Sequence, residues 1–201
     1  MDKIKSQRAV VLASGRGSNF EALVRAEKMG ELFPFQIIGL ISNQSGAGAR
    51  ELAKTYGISD VLVDSTSFKT PLGFDRFRYE KKLLECLNSL KPDWIFLAGY
   101  MLVLGPEIIR CFPKRILNIH PSLLPKYKGL RAQKQALEAG DKITGCSVHY
   151  VTEELDGGPI ILQKSLAILP SDTEETLSER LLPLEHQTYR EALQLIAKEL
   201  T

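Results

Sequence analysis

The sequence predicts an α/β fold built around a mostly parallel sheet, and two observations carry that prediction. From Arg8 to Ile119, short segments rich in β-branched and aliphatic residues alternate with helical patterns, which is typical of βαβ units. After His120 the pattern changes, and two β-like stretches flank the turn Gly157-Gly158-Pro159. We therefore predict a single domain over residues 1–201. Its Rossmann-like, mostly parallel sheet is flanked by helices and has antiparallel strands at one edge.

The first half of the chain alternates strand and helix patterns. Arg8 to Ala13 is a continuous apolar run that ends at Ser14-Gly15, as expected for a central strand buried on both faces. Between Asn19 and Gly30 the apolar residues recur at spacings of three and four, which predicts a helix. The same reasoning predicts strands at Phe35–Ile41 and Ile58–Val63, and helices at Ala49–Tyr56 and Asp75–Leu90.

Two more strands and a proline-bounded loop follow. Trp94–Ala98 and Ile116–Ile119 are predicted strands, and Pro106 opens a short helix at a position where its missing N–H costs nothing. The segment from Pro121 to Pro125 cannot form a regular element, because two prolines remove donors and restrict the residues before them. We interpret it as a functional loop.

The C-terminal part predicts a hairpin and a long helix. Cys146, Val148 and Tyr150 alternate with Ser147, His149 and Val151, and this stretch can pair with Ile160–Ile168. Ser171 and Glu174 have the spacing of a capping box, which predicts that a helix begins there. Pro183 is expected to kink or interrupt that helix. Its apolar face is formed by Leu177, Leu181, Tyr189, Leu193, Ile196 and Leu200.

Composition excludes several classes of protein. The 26 Lys and Arg residues against 24 Asp and Glu residues leave a formal net charge of +2, which does not favour nucleic acid as a partner. Three widely spaced cysteines argue against a disulfide framework and against a structural zinc site. The polar start from Met1 to Gln7 does not resemble a signal peptide, and the apolar run Trp94–Leu104 is too short to cross a membrane. We expect a cytoplasmic enzyme or binding protein without a membrane partner.

The loop between the first strand and the first helix is a candidate anion site. Ser14-Gly15-Arg16-Gly17-Ser18-Asn19 directs backbone N–H groups and hydroxyls toward a helix N-terminus, where a phosphate is favoured. It is not the full dinucleotide fingerprint, because Phe20 replaces the third glycine, and it lacks the lysine of a P-loop. A tight turn without a ligand is the structural alternative.

Three residues form a candidate catalytic group. Asn118 and His120 lie two apart at the end of a strand, so their side chains point to the same face. An amide and an imidazole can together stabilise a developing oxyanion, and Asp156 in a glycine-rich loop can orient the imidazole or relay a proton. The pattern indicates acyl transfer to an attacking substrate amine. Taken singly, each residue could instead be structural.

Two motifs resemble the folate-dependent formyltransferase superfamily: NIHPSLLP at residues 118–125 and LDGGPI at residues 155–160. Within it, the first loop and Ala98-Gly99-Tyr100-Met101 are most similar to the branch that acts on glycinamide ribonucleotide. The resemblance implies transfer of the formyl group of 10-formyltetrahydrofolate, used as a cosubstrate without a metal, to the amine of that nucleotide in purine biosynthesis. As small-molecule partners it implies only the nucleotide and the folate.

The same resemblance implies a role for each site residue. Asn118, His120 and Asp156 are the expected catalytic residues. The substrate phosphate and ribose are expected to contact Gly17, Ser18, Asn19, Phe20, Glu21 and Glu185. The folate is expected to contact Arg76, Met101, Leu102, Val103, Leu104 and Asn118. The chain departs from the family pattern at two places. Arg131-Ala132-Gln133 stands where the family often has histidines, and Leu102 stands where some relatives have an arginine.

Three alternatives stay open at this point. A methionyl-tRNA formyltransferase shares the catalytic pattern but adds a domain for the tRNA, and a formyltetrahydrofolate deformylase adds a regulatory domain before the first loop. Both are disfavoured by a chain that runs from Met1 to Thr201. A non-catalytic nucleotide-binding module would leave Asn118, His120 and Asp156 unexplained. The oligomeric state is not predicted.

Overall fold

The computed structural model describes residues 5–200, in which the chain forms nine strands and six α-helices. Residues 1–4 and 201, which belong to the predicted polar start and to the predicted domain, lie outside the described residues. The strands are β1 (Gln7–Ala13), β2 (Phe35–Ser42), β3 (Ser59–Leu62), β4 (Lys69–Thr70), β5 (Gly73–Phe74), β6 (Trp94–Leu97), β7 (Ile116–His120), β8 (Ile143–Tyr150) and β9 (Ile160–Ala167). The helices are α1 (Ser18–Lys28), α2 (Gly48–Tyr56), α3 (Arg76–Leu90), α4 (Pro106–Cys111), α5 (Ala132–Glu138) and α6 (Glu174–Glu199).

Seven strands form the main sheet in the order β3-β2-β1-β6-β7-β8-β9. The pairs from β3 to β7 are parallel, and β8 and β9 add an antiparallel hairpin at one edge. This confirms the predicted fold class. The chain reverses its direction of winding between β1 and β6, and in open α/β sheets ligands bind outside the carboxyl ends of the strands at such a point.

Helices cover both faces of the sheet and bury its apolar residues. On one face, α1 and α6 pack around Val11 and Phe96, with Tyr189 fully buried among them. On the other face, α3 and α4 cover Leu12 and contribute Leu83. The strands are apolar on both sides because both sides are covered, which explains the continuous runs in the sequence.

The helix α6 begins and continues differently from the prediction. Thr173 is the N-cap and forms a capping box with Thr176, whereas the predicted pair of Ser171 and Glu174 is wrong because Glu174 is already the first helical residue. Pro183 does not interrupt the helix, which runs through it for 26 residues. A proline removes one backbone hydrogen bond there, and the buried side chains on both sides of it hold the helix in place.

Two short elements are absent from the prediction. The helix α5 has only seven residues, and the hairpin of β4 and β5 has two residues in each strand. Elements this short carry too few apolar residues for a period to be recognised. Within residues 5–200, no helix is long and apolar enough to cross a membrane.

Candidate active site

A cavity of about 660 Å³ opens at the carboxyl ends of the central strands. Its walls come from the first loop, from the segment that follows β6, from the end of β7 and from the loops that follow β7 and β8. The predicted site residues that line it are Gly17, Ser18, Asn19, Met101, Leu102, Val103, Leu104, Asn118, His120, Asp156 and Glu185. The two halves of the predicted site therefore share one cleft.

The first loop presents the N-terminus of α1 to this cavity. Gly17 caps the helix with φ 86°, and a Cβ at this position would lie 2.6 Å from the Cα of Ala49, so both conformation and space require glycine. The first helical hydrogen bond runs from the Glu21 N–H to the Gly17 carbonyl. The N–H groups of Ser18, Asn19 and Phe20 thus have no acceptor within the helix, and they can bind an anion.

A buried carboxyl group faces the same end of the cavity. Glu185 of α6 is only 7% exposed, and its Oε2 accepts a hydrogen bond from Asn19 Nδ2 over 2.8 Å. Burial raises the pKa of Glu185, and the hydrogen bond from Asn19 only partly opposes this shift. An acceptor held between two helices beside an anion site is suited to a polar, hydroxyl-bearing ligand.

Two residues predicted to bind the phosphate and ribose point elsewhere. The Phe20 side chain is fully buried in the core and only its backbone N–H belongs to the helix start. The Glu21 carboxylate accepts hydrogen bonds from Arg25 over 2.6 Å and from Tyr56 over 3.0 Å. Neither side chain lines the cavity.

The apolar wall of the cavity follows β6. Met101 and Val103 are 59% and 52% exposed, and Leu104 is buried beneath them. The Met101 N–H donates to Ser14 Oγ over 2.8 Å, and Ser14 Oγ donates to Asn43 Oδ1 over 2.6 Å. Ser14, which sequence reasoning assigned only to the anion loop, therefore ties that loop to the apolar wall.

Arg76 lies outside the cavity lining, at the start of α3. Its guanidinium donates to the Val103 carbonyl over 2.8 Å and to Glu80 Oε1 over 2.7 Å. It is therefore placed beside the outer end of the apolar wall, half exposed to solvent. Arg131 and Gln133 line another side of the cavity, and Arg131 pairs with Glu174 over 2.6 Å.

The three candidate catalytic residues come together. Asp156 Oδ2 lies 3.4 Å from His120 Nδ1, and Asp156 Oδ1 lies 3.5 Å from Asn118 Nδ2. The Gly129 N–H donates to Asp156 Oδ2 over 2.8 Å. The loop that carries Asp156 approaches so closely that a Cβ on Gly158 would overlap the Tyr150 carbonyl oxygen. Glycine at this position therefore allows the loop to bring its carboxylate to the end of β7.

A fourth residue of this group, His149, was not identified from the sequence. It lies on β8 directly opposite Asn118 and is 2% exposed. Its Nδ1 donates to the Tyr150 carbonyl over 2.9 Å, so its Nε2 is an acceptor, and Asn118 Nδ2 donates to it over 3.1 Å. The alternation around Cys146 placed His149 on one face of its strand, and only the antiparallel register with β7 brings it to the site.

The surroundings lower the pKa of both Asp156 and His120, which favours the charged form of the carboxyl and the neutral form of the imidazole. Burial alone raises the pKa of Asp156, but the contact with His149 when that ring is protonated, the hydrogen bond from the Gly129 N–H and the charge of a protonated His120 outweigh it, and the pKa is lowered. Burial lowers the pKa of His120, which the Tyr127 carbonyl and Asp156 only partly counteract. At neutral pH the site therefore holds a carboxylate beside a neutral imidazole.

The hydrogen-bond partners of His120 determine which of its two ring nitrogens faces the Asp156 carboxylate. Its Nε2 lies 2.8 Å from the carbonyl oxygen of Tyr127 and donates to it. Its Nδ1 is then an acceptor that faces the Asp156 carboxylate. Two acceptors that face each other can take up one proton between them, so this pair is suited to accept and return a proton during a reaction.

The described residues contain no cluster of three or more His, Cys, Asp or Glu side chains arranged to hold a metal ion. The groups that this site offers to a ligand are an anion-binding helix start, an apolar wall, an amide and a proton-accepting pair.

Comparison with known proteins gives consistent results. Residues 7–193 match the model of a family described as formyl transferase. Phosphoribosylglycinamide formyltransferase of Escherichia coli (strain K12) is 39% identical over 180 residues, which cover 90% of this chain and 82% of that protein. Glycinamide ribonucleotide transformylase 1 of Symbiobacterium toebii has a crystal structure that matches with a TM-score of 0.90 and 40% identity, covering 96% of this chain and 89% of that one.

A third relative is much longer than this chain. The trifunctional purine biosynthetic protein adenosine-3 of Drosophila pseudoobscura pseudoobscura is 41% identical over 192 residues. The match covers 95% of this chain but only 14% of that protein. The similarity therefore concerns one part of the longer relative.

Proposed function

The chain belongs to the formyl transferase family, and on that basis we propose that it transfers the formyl group of 10-formyltetrahydrofolate to the amine of glycinamide ribonucleotide. The observation that carries this proposal is the single cavity described above. It joins an anion-binding helix start and an apolar wall through one cluster of an amide, two imidazoles and a carboxylate.

Each substrate matches one arm of the cavity. The nucleotide phosphate binds the free N–H groups at the start of α1, those of Ser18, Asn19 and Phe20, and Glu185 accepts a hydrogen bond from a ribose hydroxyl. The folate ring lies on the apolar wall from Met101 to Leu104, where backbone groups form hydrogen bonds with its polar edge. With both bound, the amine and the formyl carbon meet beside Asn118, and Arg76 lies where the folate's carboxylate tail leaves the cavity.

The reaction then needs two kinds of help from the protein. The amine attacks the formyl carbon, a carbon–nitrogen bond forms, and the carbonyl electron pair moves to oxygen. Asn118 Nδ2 donates to this oxyanion, and His120 donates to it through Nδ1 after that nitrogen has taken up the amine proton from Asp156, since its Nε2 already donates to Tyr127. Each donor contributes about 3 kcal/mol to the stability of the transition state.

Asp156 and His120 together transfer the proton. Asp156 takes the proton that the attacking nitrogen loses, directly or through one water, and passes it to His120 Nδ1. The folate nitrogen receives this same proton as its bond to the formyl carbon breaks and the carbonyl forms again, so Asp156 and His120 return to their starting states. The net result is one formyl group moved to the amine and one proton moved to the folate, without a metal.

A panel of formyl acceptors tests the proposal. The purified protein is offered 10-formyltetrahydrofolate with glycinamide ribonucleotide, with initiator methionyl-tRNA, or with water alone, and the folate product is followed by absorbance. We expect rapid turnover only with glycinamide ribonucleotide, and loss of that turnover in His120→Ala. Turnover that needs no amine, or a His120→Ala variant that works as well as the parent, would contradict the proposal.

We also propose that small molecules are the only substrates and that the protein works in the cytoplasm, in keeping with its near-balanced charge of +2. A fractionation of cells that express the protein, with an antibody against it, tests the location.

A further inference from the structure

The orientation of His120 depends on a residue outside the catalytic cluster. The acceptor for its Nε2 is the main-chain carbonyl of Tyr127, which lies in the irregular loop of residues 121–131. Tyr127 adopts φ 57°, the left-handed region that side chains other than glycine rarely occupy. A carbonyl in this conformation needs an external contact to keep its direction, because the backbone alone does not favour it.

Asp141 supplies that contact. Its Oδ2 accepts a hydrogen bond from the Tyr127 hydroxyl over 2.9 Å and from Lys126 Nζ over 2.8 Å. Its own backbone is held by a hydrogen bond from the Asp141 N–H to the Ala136 carbonyl over 3.2 Å, at the end of α5. Hydrogen bonds from Lys126 and Tyr127 lower the pKa of Asp141, so it stays ionised at neutral pH.

We propose that Asp141 is a positioning residue for His120 and acts through Tyr127. By holding the tyrosine ring, Asp141 fixes the carbonyl that binds His120 Nε2, and this leaves Nδ1 turned toward Asp156. The catalytic consequence rests on the function proposed above, whereas the positioning itself is a property of the free protein. The titratable groups that face His120 are Asp156, from the loop after β8, and His149, from β8 itself.

Two variants and one conservative replacement test this role. Asp141→Ala removes the acceptor, and Tyr127→Phe removes only the hydroxyl and leaves the carbonyl in the chain. In both, we expect kcat for formyl transfer to fall by up to about a hundredfold, since a small misplacement of a catalytic group has effects of this size. Asp141→Asn keeps an acceptor for the hydroxyl and should retain most of the activity.

A spectroscopic measurement reports the positioning without any substrate. Imidazole ¹⁵N NMR of the ligand-free protein should show His120 protonated at Nε2 in the parent and in Asp141→Asn. In Asp141→Ala and Tyr127→Phe, we expect a mixture of tautomers and a His120 titration midpoint at lower pH, because the Tyr127 carbonyl is a contact that favours the charged imidazole.

The matched control is Lys128→Met; Lys128 follows Tyr127 in the same loop and forms an ion pair of 2.6 Å with Glu154 of the loop after β8, which the variant breaks. This variant should leave the His120 spectrum and kcat unchanged. The double variant of Asp141→Ala and Tyr127→Phe should lose no more than either single one, because both break the same contact. Additive losses, an unchanged His120 spectrum in the two variants, or an equal loss in Asp141→Asn would each overturn the proposal.

Because the spectrum is recorded without substrate, it decides the positioning role whichever formyl acceptor the enzyme uses. Denaturant unfolding of each variant shows whether the fold is retained, and Tyr127→Phe keeps the test decisive if Asp141→Ala does not fold.

Discussion

Replacement of Asp156 by asparagine is the sharpest test of the proton-accepting pair. Asparagine keeps the size of the side chain and one oxygen that can accept from the Gly129 N–H, which lies 2.8 Å from the present carboxylate. It removes the negative charge and replaces the other oxygen, Oδ1, which lies 3.5 Å from Asn118 Nδ2 and 3.6 Å from His149 Nε2, by an NH₂ group that cannot accept a proton. The variant therefore changes proton transfer with little change in the shape of the cavity.

The size of the effect follows from the geometry. Two unit charges 3.4 Å apart interact by about 5 kcal/mol at an effective dielectric constant of about 20. This is the support that the carboxylate gives to a protonated His120 in the transition state. Loss of a positioned acid or base ordinarily lowers the rate by about 10²–10⁴, which corresponds to about 3–5 kcal/mol. We therefore expect kcat to fall by at least about a hundredfold.

The assay is steady-state formyl transfer to glycinamide ribonucleotide, with the folate product followed by absorbance and both KM values determined. The KM values should change little, because the anion loop and the apolar wall are untouched. Glu153→Gln is the matched control, since this carboxylate lies on the same loop but is 59% exposed and pairs with Arg110 over 3.6 Å, away from Asp156 and His120. A kcat of Asp156→Asn close to that of the control would refute the proton-transfer role.

Three further predictions concern the rest of the cavity. Ser18→Ala and Asn19→Ala should raise the KM for the nucleotide about tenfold and the KM for folate little, and equal effects on both would contradict the assignment of the anion end. Ser14→Ala should raise the folate KM, because the Met101 N–H loses its acceptor, and should lower the free energy of unfolding in urea by about 1–3 kcal/mol, because the buried Asn43 Oδ1 loses its donor; an unchanged folate KM would count against this link. Glu185→Gln should raise the nucleotide KM and change how stability depends on pH. Burial raises the pKa of Glu185 above 4.5, so the unfolded chain ionises first, and the parent loses stability relative to the variant as pH rises above 4.5. Urea unfolding at a series of pH values above 4.5 checks the sign, and a stability difference that shrinks with rising pH would show that the folded protein lowers this pKa.

The parts of the site that could be predicted from the sequence are those that depend on patterns of a few neighbouring residues. Asn118 and His120 share a face because they lie two apart on a strand, and the strand itself is marked by its apolar run. Gly17 and the polar residues after it mark a turn between a strand and a helix. Such signals need only a few consecutive residues, and the structure brings them to one cavity.

The parts that the sequence did not predict depend on contacts between distant residues. His149 joins the site only because β8 pairs with β7 in a register that places it opposite Asn118. A shift of one residue in that register would turn it to the other face of the sheet. The contact between Asp141 and Tyr127 joins two loops across 14 residues, and no periodic pattern records it.

The change from parallel to antiparallel pairing at β7 explains why the cluster forms where it does. In the parallel part of the sheet, the strands that meet at the cavity contribute side chains and loops only from their carboxyl ends. Because β8 runs antiparallel to β7, it pairs with the end of β7 and places His149 directly opposite Asn118. The loop that follows β8 then returns over the same face and adds Asp156. Without this reversal, the amide would have no imidazole acceptor beside it, and the carboxylate would have no path back to His120.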